Sequence, residues 1–71
     1  MTTIVSVITK EPKGRRWFLI TDAEGVKYST DNQVLAAYAE RCMVQGIPVK
    51  PIAGGGWYYK KLANLLPQVA S

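Results

Sequence analysis

Seventy-one residues, 48% of them hydrophobic, with one Cys and no His, allow one small domain and exclude much else. A single Cys rules out an internal disulfide, and a Cys/His zinc site has too few ligands. With no His, the commonest general base and the Ser-His and Cys-His pairs are missing, so the chain is not expected to be an enzyme, and no cofactor or metal is expected.

Nine Lys+Arg against five Asp+Glu give a net charge of +4, which suits a polyanionic partner without demanding one. The apolar run at residues 4–8 breaks at Thr9-Lys10-Glu11, too early for a signal peptide or a membrane span. A free Cys agrees with a reducing compartment, so a cytoplasmic protein with no membrane partner is expected.

In chain order, β-branched residues alternate with small polar ones over residues 4–9, a strand pattern. Lys10-Glu11-Pro12-Lys13-Gly14-Arg15 is a positively charged loop, because Pro12 lacks a donor and Gly14 permits a left-handed turn. Residues 16–21 read as a second strand, Asp22-Ala23-Glu24-Gly25 as a turn, and residues 26–29 as the returning third strand. Leu35, Tyr38, Ala39, Cys42 and Met43 then fall on one helical stripe, on which Cys42 is a small buried hydrophobe. Thr30 with Gln33 has capping-box spacing, Asp31 is an equal cap candidate, and Gly46 stands where a helix ends.

Residues 47–52 carry two prolines and suit an edge or irregular strand. Residues 53–56 read as a turn, and the lack of a following Lys-Ser/Thr and helix argues against a phosphate loop. A fifth strand starts at Trp57 and runs as far as Leu66, before Pro67 stops it. The expected order is β-β-β-α-β-β in one domain, with its core over residues 4–66 and a frayed tail at 67–71.

If residues 22–25 close the hairpin with Thr21 opposite Val26, then Trp17, Leu19, Val26 and Tyr28 share the face better suited to a core. Arg16, Phe18, Ile20, Lys27 and Ser29 share the other, where cations around an aromatic ring suit flat bases and phosphate. The alternative has Phe18 in the core and Trp17 facing outward. In the last strand Tyr58, Lys60 and Leu62 group against Trp57, Tyr59 and Lys61, an order that a bulge beside the glycines would reverse. Glu11, Asp22, Glu24, Asp31 and Glu40 form no convincing metal cluster or acid/base pair.

The basic Gly-containing loop, Arg16-Trp17-Phe18-Leu19-Ile20-Thr21, the Asp-x-x-Gly turn and Val26-Lys27-Tyr28-Ser29-Thr30-Asp31 resemble small OB-fold single-stranded-DNA-binding domains. Gly56-Trp57-Tyr58-Tyr59-Lys60-Lys61-Leu62 is similar to the last strand of such domains. The resemblance implies an all-β fold with one helix: a five-stranded OB-type Greek-key barrel that binds across strands two and three, flanked by the first and last hairpin loops.

Carried over by position, the binding residues are Lys10, Lys13 and Arg15 in the loop, Arg16, Phe18 and Lys27 on the sheet, and Trp57, Tyr59 and Lys61 from the last hairpin. The implied function is non-catalytic binding of single-stranded DNA, or of RNA, with little sequence specificity, in replication, recombination or repair, in a phage or mobile-element setting. The chain shows no acidic tail of the kind bacterial members use to recruit partners, so that role is not implied. Its short fourth-to-fifth connection would limit the grip on a long strand. A homo-oligomer or a protein partner would extend so small a site. The rival function is a protein-interaction module or inhibitor using the same face, since interfaces also concentrate aromatics and Arg.

Overall fold

A computed structural model describes residues 2–55 and 59–68. Its elements are β1 (Ile4–Lys10), a one-turn 3₁₀ helix (Pro12–Gly14), β2 (Trp17–Asp22), β3 (Lys27–Thr30), α1 (Gln33–Gln45), β4 (Val49–Gly54) and β5 (Lys60–Pro67). This is the β-β-β-α-β-β order expected. The strands form one five-stranded sheet in the order β1-β2-β3-β5-β4. The β3–β5 pair is parallel and the other pairs are antiparallel. Beyond the named strands, Thr2 and Val49 exchange backbone hydrogen bonds of 2.9 and 2.7 Å, tying the chain before β1 to β4.

The β2–β3 hairpin corrects the expected facing. Asp22 N–H donates to the Val26 carbonyl at 3.0 Å, so the loop is Ala23-Glu24-Gly25, and Leu19 pairs with Ser29 rather than Tyr28. Gly25 takes φ +83°, the left-handed position this loop requires. A one-residue change of register exchanges the faces of one strand relative to its partner. Tyr28 points inward as expected, but on β2 it is Phe18 and Ile20 that join it, both buried. Trp17, Leu19 and Thr21 share the outer face with Lys27 and Ser29. The expected outward Phe18 is thus replaced by an outward Trp17.

The core is Ile4, Ile20, Tyr28, Ala39, Cys42, Val49, Leu62 and Leu65, with Val7, Leu35, Tyr38 and Met43 packed at its margin. The helix stripe therefore does bury itself against the sheet. Its cap is neither Thr30 nor Asp31: the Asn32 side chain accepts from the N–H groups of Val34 and Leu35 at 3.0 and 3.2 Å. Gly46 ends the helix in the left-handed conformation, φ +67°.

Pro51 is tolerated in β4 because that strand lies at the end of the sheet order. Ala63 has no partner in the ladder, since Ile52 pairs with Asn64 and Ala53 with Leu62. That bulge turns both Leu62 and Leu65 inward. The strand also runs past the expected end: Pro67 pairs with Val49, and Gln68 N–H donates to the Pro48 carbonyl at 2.8 Å. Among the described residues, no helix is long and apolar enough to cross a membrane.

Candidate nucleic-acid interface

The outer face begins with the register. Lys10 lies opposite Trp17, Ile8 opposite Leu19, Leu19 opposite Ser29, and Ser29 opposite Lys61. Side chains alternate along each strand, so these residues share one surface crossing four strands. Trp17 is half-buried there, and the half-buried Tyr59 lies against it with ring centroids 6.0 Å apart and planes tilted by 32°. Leu19 is buried on the same surface, between Ile8 and Ser29.

Beside Trp17 runs a groove of about 680 Å³, lined by Pro12, Lys13, Arg15, Trp17, Ser29, Thr30, Asp31 and Lys61. The 3₁₀ turn after β1 forms one wall, β3 with the approach to α1 forms the floor, and the start of β5 adds Lys61. Lys13 holds φ +53°, ψ +35°, a left-handed conformation in a residue with a Cβ. Such backbone costs about 1–2 kcal/mol.

The expected site residues divide cleanly. Lys13, Arg15 and Lys61 meet in the groove, Lys10 adjoins Trp17, and the Tyr59 ring lies tilted against it. Lys27 is on the same face but opposite Thr21, about 13 Å along the strand from Trp17. Arg16 lies outside the groove and pairs with Glu11 at 3.4 Å. Phe18 is on the opposite, buried face. Trp57, like Tyr58 beside it, lies outside the described residues.

Trp17, Ser29, Thr30 and Asp31 were not among the expected site residues. The signal for Trp17 was present in Asp22-x-x-Gly25: a glycine at the left-handed position fits a three-residue hairpin loop. Counting that loop correctly turns Trp17 outward.

Chemically, this face offers ring surface and positive charge. Two rings offer flat apolar surface, and three cations border the adjoining groove. Among the described residues, no three His, Cys, Asp or Glu side chains are grouped to hold a metal ion. Compared with protein-family models, curated proteins and solved structures, the chain matches none.

Proposed function

We propose that this chain is an OB-type domain that binds single-stranded nucleic acid without catalysis and with little sequence specificity. The strand order β1-β2-β3-β5-β4, the parallel β3–β5 pair, α1 between β3 and β4, and the Thr2–Val49 bridge support the OB assignment. The observation that carries the function is the Trp17–Tyr59 ring pair beside a groove bordered by Lys13, Arg15 and Lys61. Bases stack on the rings while the phosphates follow the cations, each stacked base contributing about 1–3 kcal/mol.

Titrating labelled oligo-dT and the matching duplex, followed by anisotropy at low and moderate salt, tests this. The single strand should bind more tightly. With three phosphates neutralised, log K should fall against log salt with a slope of about −2. Trp17→Ala should weaken oligo-dT binding at least fivefold while the fold persists. Phe18→Ala should instead lose about 3–5 kcal/mol of stability, as a truncated core ring does. Folded wild-type protein that ignores oligo-dT at low salt would overturn the proposal and leave a protein as the partner of this face.

A further inference from the structure

The floor of the cationic groove carries a negative charge. Asp31 is exposed and lines the groove with Trp17, Ser29 and Lys61, yet it neither caps α1 nor joins an ion pair among the described residues. Its backbone is held on both sides. Thr30 Oγ1 accepts from Asn32 N–H at 3.1 Å, and Asn32 caps the helix. The cap therefore leaves the Asp31 carboxylate available to a ligand.

We infer that the part of the groove beside Asp31 receives a base rather than a phosphate, and that the base it favours is guanine. The inference rests on the single-strand function proposed above. A phosphate is repelled by the carboxylate and drawn to Lys13 and Arg15. An ionised carboxylate only accepts hydrogen bonds. Guanine alone presents two adjacent donors, N1–H and the N2 amine, on its pairing edge. Adenine and cytosine offer one amine beside a ring acceptor, and thymine or uracil one N–H between two carbonyls that Asp31 repels. Ser29, opposite Lys61 in the β3–β5 register, brings a hydroxyl donor to the same floor for guanine O6. Trp17 supplies the apolar surface beside it.

The test compares oligo-dT with the same strand carrying one central guanine, or one inosine, which keeps N1–H and lacks the amine. The equivalent RNA strands are run beside them. Wild type should favour the guanine strand about tenfold, within the range of one bidentate base contact, with inosine between and the same ranking in RNA. Asp31→Asn, checked for folding by circular dichroism, should lose the preference and bind oligo-dT at least as well, because a negative charge has left the groove. Asp31→Ala should do likewise. Equal binding of the thymine and guanine strands by wild type, or a preference that survives both substitutions, overturns the inference. Free GMP binding as tightly as the strand overturns it too. Failure to bind any strand defeats the single-strand function itself, a distinguishable result.

Discussion

Among the described residues, Asp22 accepts more hydrogen bonds through its side chain than any other residue. It is 2% exposed, and its Oδ1 accepts from the N–H groups of Glu24 and Val26 at 2.9 and 3.0 Å. Its Oδ2 accepts from the Tyr28 hydroxyl at 3.2 Å. The carboxylate thus closes the loop whose length turns Trp17 outward and Phe18 inward. Burial first, then the Asp22 charge and hydrogen bond, raise the Tyr28 hydroxyl pKa above its ordinary 10.0. The folded state holds that proton more tightly than the unfolded chain. The stability this contributes is complete below about pH 10 and is lost as pH rises through the higher folded value. Tyr28→Phe should cost about 1–3 kcal/mol at neutral pH, because Asp22 Oδ2 loses its donor. It should also flatten the alkaline decline. Urea melts of both proteins at neutral and strongly alkaline pH measure this, and an equally steep alkaline loss in the variant would refute the role given to Tyr28.

At the scale of elements, local signals set the type of each segment and small irregularities aim it. The stripe Leu35, Tyr38, Ala39, Cys42 and Met43 makes α1 and presses it onto the sheet. Its first turn depends on Asn32, where two N–H groups converge on one amide oxygen. Asn32→Ala should therefore destabilise the protein by about 1 kcal/mol, while Asp31→Ala changes stability little. Thermal melts compare them, and the reverse ranking would show that the helix is capped from Asp31. Two bulges play the corresponding part in the sheet. Val5 is skipped between the Ile4–Asp22 and Ser6–Thr21 pairs, and Ala63 between those of Leu62 and Asn64. Each brings inward a residue that strict alternation would turn out, and the proposed binding surface depends on which strand keeps its alternation unbroken. Residues 17–21 do.

For the whole molecule, the question is how a sheet of this size avoids two open edges. Thr2 and Val49 exchange both backbone hydrogen bonds, and Thr3 accepts from Ala23 N–H at 2.9 Å. The start of the chain is thereby fastened to β4 on one side and to the β2–β3 loop on the other. Thr2→Pro removes the donor to Val49 and should cost about 1–3 kcal/mol, leaving a carbonyl beside wholly buried Val49 without its partner. Amide exchange at Val49 should quicken in the variant. Unchanged exchange there would mean that the bridge does not hold the sheet together.

Much of this protein is set by its amino-acid sequence alone. Period-two and helical patterning place the strands and α1 in order, Gly46 ends the helix, and the loop of Lys13 and Arg15 marks a cationic surface, because these signals act over a few neighbouring residues. What faces that surface was hinted at in Asp22-x-x-Gly25 but settled by register and long-range pairing. A loop one residue shorter than its simplest reading exchanges Phe18 for Trp17. The parallel β3–β5 pairing brings Lys61 beside Ser29, more than thirty positions away in the chain. The Asn32 cap leaves Asp31 in the groove. Register and long-range pairing are properties of the assembled sheet: a side chain's face depends on its distant partner, and residue type alone does not carry that information.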